Sequence, residues 1–301
     1  MDKIGLVLSG GGAKGAYQIG VFRALEELNL KQQIIAVSGA SIGTLNEMIF
    51  LQYTATEAEQ LWKSLNWQKV MHIDEQQYEK LQHIQEAMKK QKISPLATLG
   101  NLFSLARTGG FPIRRHMAKV ALQRCIDIEG ITRANIQLFA CCQEVKSGRP
   151  YYFQLNGLDE STILDVILAS TAIPVIYESV KINGVMFCDP LKSENIPVRV
   201  MMNTNCETVI VVHLDYQTQY KGMYQHQGKT FIHIVPSQNI GRLLTGSLDF
   251  SEDAIQRNIE LGYEDGYRIL SELLSNQIYY TPKKMKTIQK TEQTANLSRL
   301  Y

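Results

Sequence analysis

The chain has 301 residues, 45% of them hydrophobic and 20% charged, with 31 basic against 29 acidic side chains for a net charge of +2. This is ordinary globular composition, long enough to bury a sizeable core as one large domain or two small ones, and too weakly basic to argue for nucleic acid. Five cysteines (Cys125, Cys141, Cys142, Cys188, Cys206) without CxxC spacing give neither a disulfide framework nor a zinc site, and fit a reducing compartment.

Ile4-Leu8 is a short apolar run that fits a buried strand. It has no basic stretch before it and no small-residue cleavage site after it, so it reads as a strand rather than a signal peptide. Glycines follow at 10, 11, 12 and 15, and then Ala16–Leu28 sets Val21, Phe22, Leu25 and Leu28 on one helical face. Ile34–Val37 is a second buried strand, followed by Gly39-Ala40-Ser41-Ile42-Gly43 and an apolar helix over Ile42–Leu51. Alternation of strand and helix predicts a parallel α/β sheet.

Thr54-x-x-Glu57 is a capping box that opens a further helix. From there to about residue 125 the pattern is broken by Pro95, Gly100, Gly109-Gly110 and Pro112, and reads as a helical insertion or cap, closing on a helix over Arg115–Cys125. Asn135–Val145 and Pro150–Leu155 are strand-like, joined by a hairpin across Lys146-Ser147-Gly148; Cys141 and Cys142 lie within the first as buried thiols. A helix over Glu160–Ala169 stops before Pro174, and Asn183-Gly184 signals a tight hairpin. Glu207–Leu214 and Thr230–Val235 are further buried strands. Ser251–Leu274 is a long amphipathic helix with Glu252 and Asp253 in its first turn, where negative charge suits the dipole. The expected organisation is one domain over 1–275, with the insertion at about 54–125 and a polar tail over 276–301. No run is long and apolar enough to span a bilayer, so the expected location is cytoplasmic, with room for transient contact at a membrane surface.

Two motifs carry chemistry. Gly10-x-Gly12-x-x-Gly15 lies between a strand and a helix, where glycines let backbone N–H groups approach an anion, whether a pyrophosphate or an ester oxyanion. The second strand separates these readings. A dinucleotide site needs an acidic residue at its end, but that strand ends Val37-Ser38-Gly39; a Walker loop fails because Lys14 precedes Gly15. Ser41 instead sits in a Gly-x-Ser-x-Gly elbow between strand and helix, the arrangement that exposes a nucleophilic hydroxyl. Its base is open to two readings. His213 or His233, in or beside apolar strands, would complete a Ser-Asp-His esterase of the α/β-hydrolase type. Asp189, emerging from the strand after the Asn183-Gly184 turn, would act on the serine directly. A third reading is a non-catalytic nucleotide-binding or regulatory module that uses the glycine loop.

At these residues the sequence resembles the patatin-like phospholipases. "GLVLSGGGAKGAYQIGVFRAL" is similar to their glycine-rich block, "GASIG" to their nucleophile elbow, and "ASTAIPVIYESVKINGVMFCD" to the segment leading to the catalytic aspartate. "SENIPV" resembles their Asn-x-Pro segment, and "GSLDFSEDAIQRNIELGYEDG" the C-terminal region of bacterial members. The resemblance covers most of the chain. It implies a three-layer α/β/α fold with a mainly parallel sheet and a helical cap, and no cofactor or metal. It implies a Ser41-Asp189 dyad that cleaves acyl esters of phospholipids or other lipids through an acyl-enzyme. Gly39 and Gly43 would shape the elbow. The oxyanion would lie in the loop Gly10, Gly11, Gly12, Ala13, Lys14 and Gly15, on the N–H groups of Gly11, Gly12 and Ala13 with Lys14 adding positive character. One departure stands out: Pro190 follows the aspartate, where the family usually has glycine. Segment 78–115, which mixes apolar and basic residues, and the lysine-rich tail are the candidate membrane contacts.

Overall fold

The computed structural model describes residues 3–64, 123, 125–174, 177–218, 222–226, 228–241, 246–247 and 249–279. Nearly all of the expected insertion, its closing helix and the two candidate membrane segments lie outside these residues. The chain begins β1 (Ile4–Leu8), a 3-10 turn (Gly12–Gly15), α1 (Ala16–Glu27), β2 (Ile34–Ala40), α2 (Ile42–Gln52) and α3 (Ala55–Ser64). It continues through α4 (Ile128–Thr132), β3 (Gln137–Glu144), β4 (Pro150–Gln154), α5 (Glu160–Ser170), β5 (Val180–Ile182) and β6 (Val185–Cys188). Two 3-10 turns (Pro190–Lys192 and Arg199–Asn203) precede β7 (Thr208–Val212), β8 (Gly222–His226), β9 (Lys229–Ile234) and α6 (Glu252–Tyr279).

The fold is mixed α/β around a mostly parallel sheet. Among the described residues nine strands form it, ordered β5-β6-β3-β2-β1-β7-β9-β8, with β4 pairing β3 off that path. β3, β2, β1, β7 and β9 run parallel; β4, β5, β6 and β8 are antiparallel additions. Every residue of β1 and β7 is buried, as a strand covered on both faces requires. Ile4, Leu6, Leu8, Ile210 and Val212 join the core under the helices. Val7, Val209 and Val211 turn to a smaller core on the other face, closed by Met201 and Cys206. The chain builds outward from β1 to β2 and β3 on one side and from β7 to β9 on the other. Such a reversal opens a crevice beyond the C-terminal strand ends, where the glycine turn leaves β1.

α1 carries that turn at its N-terminus, and α6 fixes its direction. The two helices cross at backbone contact: a Cβ on Gly20 would stand 1.9 Å from Ile259 O, and one on Gly262 1.9 Å from Tyr17 O. Beside the crossing the buried Tyr17 hydroxyl donates to Asp265 Oδ2 at 3.0 Å, and the same oxygen accepts Ser237 N–H at 2.8 Å.

Several expected elements form as read. The capping box closes both ways, Thr54 N–H to Glu57 Oε2 at 2.8 Å and Glu57 N–H to Thr54 Oγ1 at 3.3 Å. Asn183 (φ 48°) and Gly184 (φ 84°) make the hairpin turn, with both central residues left-handed. β2 runs on to Ala40 because Ser38, Gly39 and Ala40 keep their pairing with β3. α6 continues to Tyr279, into the expected tail. β8 ends at His226, in a stretch whose sequence offers no clear apolar alternation.

Gly262→Ala should wedge α1 from α6 and cost about 1–3 kcal/mol. A thermal melt checks this: a lower Tm is expected, and a wild-type Tm would contradict the close crossing.

Candidate active site

One strand aligns the ends of two others. Ala40, the last residue of β2, lies opposite Cys141 of β3; Cys188, the last of β6, lies opposite Gln143 of the same strand. These points are two residues apart at about 3.3 Å each. The residues that follow, Ser41 and Asp189, are thereby brought together from 148 positions apart in sequence (189 − 41).

Ser41 stands at φ 53°, ψ −124°, a left-handed conformation that costs a non-glycine residue about 1–3 kcal/mol. The glycines on either side allow it. A Cβ on Gly39 would come within 2.5 Å of the Gly43 carbonyl and Thr44 N, and one on Gly43 within 2.2 Å of Leu8 O. Ser170, at the end of α5, secures the turn. Its Oγ accepts Ser41 N–H at 3.1 Å, meets Thr44 Oγ1 at 2.8 Å and donates to Cys141 O at 2.7 Å. One buried hydroxyl thus ties together the elbow, α2 and β3. Behind it Glu47 of α2, fully buried, accepts Phe139 N–H at 2.9 Å and lies at Gly39 N–H, so its carboxylate stands between β2 and β3. Burial pushes its pKa well above the ordinary carboxylate range.

Asp189 is only 2% exposed. Burial pushes its pKa up to about 6, while the neighbouring Ser41 hydroxyl and Leu191 N–H pull the other way by stabilising the carboxylate. Oδ1 accepts Leu191 N–H at 2.9 Å; Oδ2 is buried with no partner in full hydrogen-bond geometry. Pro190 fits here as the first residue of the 3-10 turn that Asp189 caps, a position where a missing N–H is no loss. Asp189 itself has an ordinary backbone, and its N–H donates to Ala172 O at 3.0 Å.

The glycine loop lies against the elbow: a Cβ on Gly10 would stand 3.1 Å from Ser41 Cβ and 2.3 Å from Asn195 Oδ1. Asn195 grips Gly10 on both sides, its carbonyl accepting Gly10 N–H at 2.9 Å and its Nδ2 donating to Gly10 O at 3.1 Å. Ala13 N–H donates to Ser247 O at 2.9 Å. Among the described residues no hydrogen bond engages the N–H of Gly11 or Gly12. Lys14 is buried and turned away, donating to Leu214 O at 2.7 Å; burial lowers its pKa, partly offset by Asp215. A buried polar chain pins both ends of the loop. Trp62 Nε1 donates to Asn46 Oδ1, Asn46 Nδ2 to Gly15 O and Gln18 Oε1, and Gln18 Nε2 to Ser9 O. Gly15 is needed for this packing, since its Cβ would meet Ile42 at 2.6 Å.

His213 and His233 face each other, Nε2 to Nδ1 at 2.6 Å, both buried. Burial lowers their pKa values to about 3 and about 4, His213's further through His233, so both are neutral near pH 7. Sequence reasoning gave no role to Ser170, Asn195 or Glu47. The first two lie in the stretches "ASTAIP" and "SENIPV" that resemble the family; Glu47 lies in an apolar helix where no motif points to it.

The model of the patatin-like phospholipase family matches residues 6–202, and the chain belongs to that family, whose members hydrolyse ester bonds of lipids. No curated protein sequence matches the chain. Among solved structures it is similar to VipD from Legionella pneumophila, at 13% identity over 90% of this chain and 67% of that one, with TM-score 0.45. It is also similar to ExoU of Pseudomonas aeruginosa in complex with SpcU, at 16% identity over 90% and 52% with TM-score 0.44. Human GIVD cytosolic phospholipase A2 aligns at 10% identity over 91% and 59% with TM-score 0.50, a likeness of fold. The chain spans little more than half the length of these last two. No helix among the described residues is long and apolar enough to cross a membrane.

Ser170→Ala would leave Ser41 N–H and Cys141 O buried and unpaired, at about 1–3 kcal/mol for each group. The expected result is a lower Tm. An unchanged melt would show that the elbow does not rely on this hydroxyl.

Proposed function

We propose that the chain is a serine lipid acyl hydrolase of phospholipase A, lysophospholipase or esterase type. The observation that carries this reading is the strained, glycine-flanked Ser41 with its hydroxyl at the buried carboxylate of Asp189. Ser41 Oγ attacks the ester carbonyl carbon while Asp189 Oδ2 takes its proton. The carbonyl oxygen becomes an oxyanion on the N–H groups of Gly11 and Gly12, which no hydrogen bond engages among the described residues, so that fixed donors favour the charge as it develops. Ala13 and Lys14, committed to Ser247 and Leu214, act as supports of that loop. Collapse expels the alcohol, which takes the proton from Asp189. Water then attacks the acyl-enzyme, giving its proton to Asp189; collapse breaks the bond to Ser41 Oγ, which takes that proton back from Asp189, and the fatty acid leaves.

The environment of Asp189 suits the task. A carboxylate of ordinary pKa is a weak base towards a hydroxyl; one raised to about 6 is stronger yet still mostly ionised at pH 7. The base must be ionised to act, so activity falls as pH drops through the raised pKa. The mutual bond of His213 and His233 favours this dyad over a histidine base.

Fatty-acid release from mixed phospholipid micelles tests the reading. Ser41→Ala should abolish it, and Asp189→Asn should lower kcat by about 10²–10⁴-fold. The acid limb of the wild-type kcat/KM profile should have its midpoint near pH 6. Undiminished release by either variant, or an acid limb near the ordinary aspartate pKa, would contradict the dyad.

A further inference from the structure

We propose that the tips of the β3–β4 and β5–β6 hairpins form a docking lip for an anionic lipid surface, at the strand ends that carry the site. This rests on the acyl hydrolase reading above and adds how a lipid aggregate would be met. The first observation is where exposed apolar side chains gather. Among the described residues the large exposed hydrophobics are Val145 (45%), Tyr151 (51%), Val185 (40%), Met186 (40%) and Tyr267 (37%). All but Tyr267 belong to these two hairpins. They are adjacent in space: Val145 N–H donates to Met186 O at 2.9 Å, joining one tip to the other. Tyr151 rests on a rigid aromatic base, its ring centroid 4.6 Å from Phe153 and 5.5 Å from Phe187.

The second observation is position. β2 ends level with Cys141, but β3 runs three residues further, to Glu144, before its hairpin turns. β6 is antiparallel and begins at Val185, so its turn at Asn183-Gly184 also projects past the end of β2. Both tips therefore extend beyond the level of Ser41, past the C-terminal end of β2.

The third is charge. Lys146, Arg149 and Lys181 are all exposed on the hairpins, and Lys181 pairs directly with Met186. Against these three cations stands one carboxylate within the hairpins, Glu144, which accepts the Ser147 hydroxyl at 2.7 Å; Glu178 is exposed just before β5. Apolar side chains that can enter the acyl boundary, ringed by long cations that reach back to phosphate, suit an anionic lipid surface. A protein partner would more often meet a flat patch depleted in lysine than two projecting turns that carry it.

Vesicle sedimentation in the Ser41→Ala background tests this without consuming the lipid. The full chain should pellet with phosphatidylcholine vesicles containing phosphatidylglycerol, less with phosphatidylcholine alone, and less as salt rises. Val185→Asp with Met186→Asp, and separately Lys146→Glu with Arg149→Glu, should each weaken partitioning about tenfold or more. Because these side chains are exposed, the melts should match the parent. Tyr151→Trp should shift its emission to the blue on the same vesicles. With Ser41 restored, the variants should hydrolyse a soluble short-chain ester at the parental rate and lose activity on vesicle lipid. Parental binding by the variants, or no binding by the parent, would overturn the lip. A wild-type chain that binds vesicles but hydrolyses neither ester would instead overturn the acyl hydrolase reading while leaving the lip standing.

Discussion

The backbone of Ser41 is the constraint on which the rest depends. A serine at φ 53° is unfavourable by itself and persists only where its surroundings leave no relaxed alternative. Here Gly39 and Gly43 press backbone against backbone at distances no side chain would tolerate. α2 starts at Ile42, immediately after the bend. The Ser170 hydroxyl holds the Ser41 amide from the opposite element. Relaxing the elbow would break pairing at the β2–β3 end and the Ser170 bonds at once. That is how a small local strain is maintained inside a large fold.

Around this fixed point the fold separates charge from its usual compensation. Asp189 is buried, with Leu191 N–H and Ser41 as its stabilising neighbours. Lys14, the cation nearest in the glycine loop's sequence, is turned to the Leu214 carbonyl and Asp215. A lysine against the carboxylate would lower its pKa. Lys14 is turned aside, and Asn195 holds the glycine loop at Gly10 through both its carbonyl and its side-chain amide.

Much of this was legible in the sequence because it is local. β1, the glycine turn and the elbow follow one another within 43 residues, and each needs specific small residues at fixed spacing. The Asn183-Gly184 hairpin was legible for the same reason: its turn requires two left-handed residues. The less legible parts are long-range. That β3 aligns the ends of β2 and β6 is a matter of register, and no periodicity in either strand encodes it. Ser170 and Asn195 act through one hydroxyl and one amide on partners 129 and 185 positions away. Pro190, which in the sequence departs from the family's usual glycine after the aspartate, becomes an ordinary first residue of a 3-10 turn once Asp189 is seen to cap it.

The central claim is that Asp189 activates Ser41. The most direct measurement is the rate of covalent labelling by a fluorophosphonate as a function of pH, followed by intact mass and by peptide mapping. The account predicts one adduct per chain, on the Ser41 peptide, with a rate that rises through a midpoint near pH 6 and collapses in Asp189→Asn. Labelling at another residue, or a rate on Ser41 that is unchanged by Asp189→Asn, would contradict it.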